Sequence, residues 1–300
     1  MRHFVSVLLL LFTALHAELS PWTLTPPKAE PMKISVLDAK EVRFPERNGV
    51  PFTELSDLAY DAKTGRLYGV SDQGFLYTMR LRVERGKIAG LKLLDAVRLR
   101  DAKGRPLCGD DADAEGLALM PGGLLVSFER RPRIALFDRR GRMREKLKLP
   151  KPLRKKKRYR GKNKMLEAAA WSPRYGVITA PELPLKKTGK KTHTIYAGKH
   201  RWRIPASGSV TAMALTRKGR LLILERDFNR LTRRRKSVLT LLDPETGRSR
   251  TVAEMDSAGG WGLDNFEGLT RLSGDRFLMI SDDNDSPFQH TVLVLFELTE

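Results

Sequence analysis

The chain has 300 residues, of which 41% are hydrophobic, enough to fill the core of one large domain and too many for a disordered chain. It carries 56 Lys and Arg against 35 Asp and Glu, a formal net charge of +21, which favours an anionic partner or substrate. A single cysteine, Cys108, excludes disulfide scaffolds, zinc ribbons and iron–sulfur sites.

The first element in chain order is a short apolar leader. Arg2 and His3 precede about 12 apolar residues, which as a helix would span roughly 18 Å and fall short of a roughly 30 Å hydrocarbon core. The small residue Ala17 follows as the expected cleavage residue, so residues 1–17 are predicted to be a secretory signal peptide. We expect the mature protein to be periplasmic or secreted, monomeric, and without a transmembrane anchor after cleavage.

Five segments of the remaining chain share one pattern. In each, an opening residue precedes a short apolar run, a turn containing glycine follows, and a second apolar run ends near an acidic residue. The openers are Glu54, Glu115, Glu167, Thr211 and Glu267, and the closing acids are Asp72, Glu129, Glu182, Glu225 and Asp282. Repeats of roughly 40 to 50 residues that each hold several short strands are typical of propeller blades.

These repeats predict an all-β fold, a β-propeller of five four-stranded blades, with six blades as the alternative. More strand-like sequence, such as residues 134–137, follows each predicted hairpin and can complete four strands per unit. The terminal runs 33–37 and 291–296 are expected to share one blade and so close the ring, because closure leaves only short, protected edges. Residues 18–32 are then an N-terminal linker, and residues 33–300 form a single propeller domain. A twisted β-sandwich with coincidental hairpins is the competing fold.

The spaced acids are predicted to line one mouth of the central channel. In an antiparallel hairpin, the start of the first strand and the end of the second lie at the same edge, so Glu115 and Glu129 should emerge together. The expected ring of carboxylates, all candidate metal ligands, comprises Glu54, Asp72, Glu115, Glu129, Glu167, Glu182, Glu225, Glu267 and Asp282. Crowding would raise the pKa values of these groups unless cations compensate their charge.

Oxygen ligands without Cys or His favour hard ions, so calcium is the predicted cofactor. Residues 110–113, 264–265 and 282–285 are expected to add carboxylate and amide oxygens at the same rim. A structural role is the alternative, in which the acids tie the blades together by accepting backbone N–H bonds or pairing with arginine.

Two C-terminal segments carry a resemblance to a known family. Residues 264–269 (DNFEGL) and 281–291 (SDDNDSPFQHT) resemble the signature of the bacterial phytase-like proteins, the esterase-like activity of phytase family. The similarity spans roughly residues 45 to 298 and implies a propeller fold and a hydrolytic activity. The chain departs from the family in its strongly basic composition and in the opener Thr211.

As an enzyme, the protein is expected to catalyse metal-assisted hydrolysis of a phosphate or carboxylic ester. The candidate catalytic carboxylates are Glu115, Glu267 and Asp282, and the candidate substrate-binding residues are Arg130, Arg226 and His290. Both arginines directly follow closing acids. Because neighbouring residues of a strand point to opposite faces, at most one of each pair is expected to face the site. Inter-blade ion pairing of the arginines and packing of His290 are the alternatives.

Three basic runs, residues 151–164, 186–191 and 230–236, are predicted to lie on loops that protrude from the propeller. They can hold a polyanion or an envelope surface, or they can be solvated without any partner. Only Tyr159 interrupts the longest run, so specific nucleic-acid binding is not expected. The alternative function is a non-catalytic propeller that binds an envelope component or a protein partner.

Overall fold

The computed structural model describes residues 14–26 and 31–299. Residues 1–13 of the predicted leader lie outside the described residues. The described residues form 22 β-strands and five 3₁₀-helices, the latter at Gly109–Asp111, Lys151–Arg154, Lys156–Arg158, Lys186–Thr188 and Ser257–Gly259. Within these two ranges, no helix has the length and apolarity needed to cross a membrane.

The strands form five antiparallel sheets. Three strands precede the first repeat: β1 (Leu15–His16), β2 (Glu18–Pro21) and β3 (Ile34–Arg43). Blade one contains β4 (Leu55–Asp61), β5 (Arg66–Ser71), β6 (Phe75–Glu84) and β7 (Lys87–Arg98). Blade two contains β8 (Ala114–Met120), β9 (Gly123–Phe128), β10 (Arg133–Phe137) and β11 (Met143–Leu147).

The remaining three blades follow in chain order. Blade three contains β12 (Leu166–Ser172), β13 (Gly176–Pro181), β14 (Thr192–Ala197) and β15 (His200–Pro205). Blade four contains β16 (Ser209–Leu215), β17 (Leu221–Asn229), β18 (Arg234–Leu242) and β19 (Ser249–Asp256). Blade five contains β20 (Asn265–Ser273), β21 (Arg276–Asp282) and β22 (Val292–Leu298), together with β3.

The first strand of each blade lies on the inside of the ring. Strands β4, β8, β12, β16 and β20 contact one another in this order, and β20 also contacts β4. This arrangement is a five-bladed propeller of four-stranded blades, as the repeats predicted, rather than two facing sheets. No sixth sheet occurs within residues 14–26 and 31–299.

Strands from near the N-terminus lie on the outside of two blades. Strand β3 pairs antiparallel with β22, and β2 pairs with β3 at the outer edge of blade five. Strand β1 pairs with β7 at the outer edge of blade one, where Leu15 and Ala17 pack against the blade core. Part of the leader and part of the predicted linker 18–32 are therefore edge strands in this structure.

The apolar core lies between neighbouring blades. In β9, Leu124, Leu125 and Val126 are all fully buried, because this strand has a blade on each side. Leu124 and Val126 pack with Tyr68 of blade one, whereas Leu125 packs with Leu166 of blade three. The continuous apolar run of β9, the second strand of blade two, follows from this two-sided packing.

Candidate functional site

A β-bulge interrupts each inner strand near the same end of the channel. The pairing register shifts at Ser56 in β4, Glu115–Gly116 in β8, Glu167–Ala168 in β12, Thr211 in β16 and Glu267 in β20. A bulge leaves a residue unpaired and re-aims its side chain. Four of the five predicted openers are bulged residues. Blade one differs, because its bulged residue is Ser56, whereas the predicted opener Glu54 precedes the strand.

In each blade, the residue at the end of the second strand lies opposite the start of the inner strand. Backbone pairing sets Glu54 opposite Asp72, Asp113 opposite Glu129, Met165 opposite Glu182, Ser209 opposite Arg226 and Asn265 opposite Asp282. Four of the predicted closing acids therefore lie at equivalent positions. In blade four the equivalent residue is Arg226, and the predicted closing acid Glu225 precedes it by one residue. Since adjacent strand residues point in opposite directions, Glu225 is directed away from the mouth.

The carboxylates of blades two and three form two close groups. Carboxylate oxygens of Asp113, Glu115 and Glu129 lie within 4.8 Å of one another, and so do those of Glu129, Glu167 and Glu182. Glu129 belongs to both groups, and its Oε1 accepts a hydrogen bond of 2.8 Å from the backbone N–H of Met165. The two groups thus form one continuous cluster across two blades.

Burial and mutual repulsion raise the pKa values of the mouth acids. Burial, together with the charges of Glu182 and Asp113, raises the pKa of Glu129 to about 8. Burial and the nearby acids Glu54, Asp113 and Glu267 raise the pKa of Asp72 to about 7. The pKa values of Glu115 and Glu167 are also raised well above the usual range, mainly by burial. The cluster therefore has too little positive charge around it to hold every carboxylate ionised.

Three cations lie at the edges of this cluster. Lys164 Nζ is 2.7 Å from Glu182 Oε1, and Arg130 Nε is 3.6 Å from Asp113 Oδ1. Arg226 contributes the third cation from blade four. Arg130 is about half exposed, so it borders the mouth and remains accessible to a ligand.

Arg226 joins blade four to blade five. Its guanidinium lies 2.7 Å from Glu267 Oε1 and 2.5 Å from Asn265 Oδ1. The Asn265 amide in turn donates to Glu267 Oε1 at 2.9 Å. Burial and the charge of Glu267 raise the pKa of Asp282 to about 9. This side of the mouth is held by a cation, which blades two and three lack at the equivalent position.

Glu225 lies apart from the other predicted ligands. Its side chain is fully buried and accepts hydrogen bonds from the Ser207 N–H at 2.8 Å and from the Thr240 hydroxyl at 3.2 Å. The imidazole Nε2 of His193 is 3.5 Å from Glu225 Oε1. The structure therefore separates Glu225 from the mouth and gives its carboxylate hydrogen-bond partners within the protein.

His290, a predicted substrate-binding residue, also has partners elsewhere. Its Nδ1 lies 2.8 Å from Glu41 Oε1 on β3, and its ring centroid is 5.1 Å from that of Trp22. The backbone N–H of His290 donates to Asp264 Oδ2 at 2.8 Å. These contacts fix the C-terminal loop against the outer strands of blade five.

Asp57 was not singled out from the sequence, yet it joins three blades. It occupies the position that Gly116 and Gly268 hold in blades two and five. Its carboxylate accepts backbone N–H bonds from Leu58, Leu117 and Leu269 at 2.8, 2.8 and 2.9 Å. A Cβ at Gly268 would lie 2.9 Å from the Asp57 Cα, so the close approach of these strands requires glycine there.

Beyond Asp57, towards the other end of the channel, the described lining contains no Asp or Glu. A cavity of about 230 Å³ at the other end is lined mainly by apolar side chains, including Leu58, Leu117, Ala170, Met213 and Leu269. The carboxylates described above are therefore confined to one mouth of the channel.

Asp283, from the C-terminal motif, connects blade five to blade one. Its Oδ1 accepts hydrogen bonds from the Thr53 hydroxyl at 2.5 Å and from the Glu54 N–H at 2.9 Å. Its Oδ2 accepts one from the Thr291 hydroxyl at 2.8 Å. These contacts position Glu54, whose carboxylate also accepts a hydrogen bond from Gln73. Much of the acidic motif thus has a positioning role.

The longest basic run packs beside the mouth. Leu153 and Tyr159 are buried, and the Tyr159 hydroxyl donates to the Leu153 carbonyl at 2.7 Å. Lys156 Nζ donates to the carbonyl of Arg130 at 2.6 Å. A cleft of about 580 Å³ lies between this segment and the mouth, lined by Asp110, Arg130, Lys156, Lys157, Arg160, Lys162 and Lys186 among others.

Comparisons with known proteins bear on the fold and the family. The chain is similar to the PQQ-bound aldose sugar dehydrogenase from Streptomyces coelicolor, with a TM-score of 0.45 and 11% identity over 90% of this chain and 99% of that one. It is also similar to the Dos1 propeller, with a TM-score of 0.38 and 9% identity over 87% of this chain and 73% of that one. Likeness at this level carries no information on function, and no curated protein matches the sequence. The model of the phytase-like family, described as esterase-like activity of phytase, matches residues 50–285. The chain therefore belongs to the phytase-like family.

Proposed function

We propose that the protein is a calcium-dependent hydrolase of anionic phosphate or carboxylic esters, with its site at the acidic mouth. The observation that carries this proposal is the position of Glu129, which lies within 4.8 Å of two pairs of carboxylates. Carboxylates buried this closely repel one another, and a divalent cation relieves that repulsion.

The donor set of the mouth fits calcium. Two oxygens on opposite sides of one Ca²⁺ are separated by at most about 5 Å, because each Ca–O distance is about 2.3–2.6 Å. Asp113, Glu115, Glu129, Glu167 and Glu182 would hold the metal through oxygen alone, which suits a hard ion. In addition, Asp72 Oδ1 is buried and has no hydrogen-bond partner among the described residues, as expected for an oxygen that can bind a cation.

Bound calcium would polarise the ester and help to neutralise its negative charge. The residues of the chain supply the remaining functions. Arg130 at the rim would bind the anionic group of the substrate, and Arg226 fixes Glu267 in place. In the calcium-free protein the pKa of Asp282 is raised to about 9 by burial and by the charge of Glu267, so Asp282 is the proposed acid that protonates the leaving oxygen. Glu115 and Glu267 are the proposed bases that orient the attacking water, because bound calcium would hold Glu115 ionised and Arg226 offsets the charge of Glu267.

A non-catalytic propeller that binds an envelope component or a protein is the second candidate. The observation that favours it is that several acids have partners within the protein, as Glu182 has in Lys164 and Glu267 has in Arg226. In that case the acids stabilise the ring, and ester turnover is absent.

Calcium titration by calorimetry on the metal-free protein tests the first proposal, followed by a panel of phosphate and carboxylic esters with and without EDTA. We expect binding, and turnover that EDTA abolishes. Replacement of Glu115 by Gln should weaken calcium binding by about tenfold or more, because Glu115 belongs to one of the two close carboxylate groups. Exposed Glu245, remote from the mouth in the turn after β18, provides the control Glu245→Gln. Binding without turnover would favour the second candidate, and absence of binding would refute both the metal site and the hydrolase.

We propose further that the protein is exported and that the pairing of β3 with β22 closes the ring. Pairing of β3 with β22 supports closure, because it places strands from both ends of the chain in one sheet. Export rests on the apolar leader. Cleavage after Ala17 would remove β1 from the edge of blade one and leave β2 and β3 in place, so N-terminal sequencing of the mature protein tests it.

A further inference from the structure

The three exposed large apolar side chains among the described residues lie on two tips beside the mouth. They are Phe228, 45% exposed, Leu231, 96%, and Phe288, 86%. Phe228 and Leu231 belong to the β17–β18 hairpin, and Phe288 to the loop after β21. Both tips border one cleft of about 300 Å³, lined by Phe228, Arg230 and Gln289 among others. The two tips that carry these exposed apolar side chains therefore lie on either side of the same cleft.

The hairpin tip holds Leu231 away from the rest of the protein. Strands β17 and β18 pair as far as Asn229 and Arg234. The side-chain oxygen of Asn229 accepts the backbone N–H groups of Leu231 and Thr232 at 3.0 and 3.2 Å, which fixes the turn. Leu231 is therefore presented to solvent by an ordered turn.

The loop that carries Phe288 is also held by its own hydrogen bonds. The Ser286 N–H donates to the Asp283 carbonyl at 2.9 Å, and the Asn284 amide donates to the Gln289 side chain at 3.1 Å. This order keeps Phe288 exposed, although its burial would be favourable.

Positive charge surrounds the apolar tip of the hairpin. Residues 226–236 contain six Lys and Arg and one acid, Asp227. Arg234 pairs with Asp256, and Lys236 Nζ lies 2.6 Å from Glu254 Oε1. By contrast, Arg230 and Arg233 are exposed and form no ion pair within residues 14–26 and 31–299. Two cations without counter-ions thus flank Leu231.

Positive charge is also present elsewhere on the face of the propeller that contains the mouth. The cleft of about 580 Å³ beside blade two is lined by Lys156, Lys157, Lys162 and Lys186, among others. Cationic segments therefore border the mouth on the side of blades two and three as well as at the blade-four hairpin.

We propose that this face docks on an anionic lipid bilayer, with Leu231 and Phe288 inserted at the interface and Arg230 and Arg233 against the headgroups. A side chain that stands 96% exposed on a tip has no matching surface around it, which suits insertion into a fluid interface better than a flat protein contact. The unpaired cations complement anionic headgroups. This proposal does not depend on ester hydrolysis.

Vesicle flotation tests the proposal with the mature protein in EGTA, so that calcium cannot bridge the acidic mouth to lipid. We expect binding to phosphatidylcholine vesicles that contain about one third phosphatidylglycerol, and little binding to phosphatidylcholine alone. The double variant Leu231→Ser/Phe288→Ser should bind about tenfold or more weakly, including at about 0.5 M sodium chloride, where long-range attraction is screened. Unchanged binding of this variant would overturn insertion.

A pair of charge variants separates local from global attraction. Arg230→Gln/Arg233→Gln should weaken binding to anionic vesicles by about thirtyfold, because each of the two cations near such a surface contributes about 1 kcal/mol. Arg217→Gln/Lys218→Gln makes the same charge change in an exposed turn at the other end of β17, and it should change binding by less than about twofold. Equal loss in both variants would show that only the overall charge acts, which contradicts a specific docking face.

Tryptophan fluorescence provides a direct measure of insertion. In Phe288→Trp, brominated lipids should quench the added fluorescence, whereas the four native tryptophans report the background. Absence of additional quenching relative to the unmodified protein would exclude a membrane position for this tip and leave a protein partner as the better account.

Discussion

Blades two and four have the same backbone at the mouth but opposite chemistry. Three positions are equivalent in the two blades: the start of the inner strand, the bulge, and the end of the second strand. Blade two has Asp113, Glu115 and Glu129 at these positions. Blade four has Ser209, Thr211 and Arg226. Blade two therefore has three carboxylates at these positions, whereas blade four has a serine, a buried threonine and a guanidinium.

This difference shows that the bulge fixes where a side chain points, whereas the residue type fixes what it can bind. Arg226 extends from blade four to Glu267 of blade five at 2.7 Å, so one cation offsets acids on a neighbouring blade. At the edges of the acidic cluster in blades two and three lie the cations Lys164 and Arg130. The mouth is consequently divided into a side that can bind cations and a side that already contains one.

The strongest test of this division is the pH dependence of stability in the metal-free protein. The pKa values of Asp72, Glu129 and Asp282 are raised to about 7, 8 and 9, so the folded state binds more protons than the unfolded state above about pH 4. The free energy of unfolding should therefore fall as pH rises towards about 9. One carboxyl group that keeps its proton in the folded state over three pH units lowers the free energy of unfolding by about 4 kcal/mol over that range.

Urea unfolding in EGTA at several pH values measures this effect. Calcium should remove most of the pH dependence above about pH 7, because it binds the ionised carboxylates. A metal-free protein whose stability rises between about pH 5 and about pH 9 would contradict the assignment of an uncompensated acidic cluster.

Charge reversal in blade four tests the other side of the division. Arg226→Glu places a carboxylate beside Glu267 and should lower the free energy of unfolding in EGTA by about 4 kcal/mol at neutral pH. The control Arg217→Glu makes the same change in an exposed turn of the same blade and should cost less than about 0.5 kcal/mol. Calcium should restore part of the loss in Arg226→Glu only. Equal effects in the two variants would show that Arg226 does not offset the mouth acids.

The propeller architecture could be predicted because the sequence contains a repeated hairpin pattern. Five hairpins that each begin near an opener and turn at glycine predicted the inner strands and favoured five blades over six, and the described residues form five sheets. The grouping of Glu115, Glu129, Glu167 and Glu182 also followed, since a hairpin brings the start of one strand beside the end of the next.

The errors in the predicted site come from features that a linear pattern does not record. Register in a bulged strand decides which of two adjacent residues faces the channel, so the pattern selected Glu225 where the structure presents Arg226. For the same reason, the pattern selected Glu54 as the opener of blade one, whereas the bulged residue of that blade is Ser56. Asp57 was missed because its role depends on backbone N–H groups from other blades, which are distant in sequence.

The smallest expected effect tests this one-residue difference directly. Glu225→Gln should leave calcium affinity within about twofold, because the Glu225 carboxylate bonds to Ser207 and Thr240 away from the mouth. Glu129→Gln makes the same change in the acid shared by both carboxylate groups and should weaken calcium binding by about tenfold or more. Calorimetric titration of the two variants measures both affinities under one set of conditions. If Glu225→Gln weakened calcium binding as much as Glu129→Gln does, the carboxylate of blade four would belong to the metal site, and the contrast between blade four and blade two would be wrong.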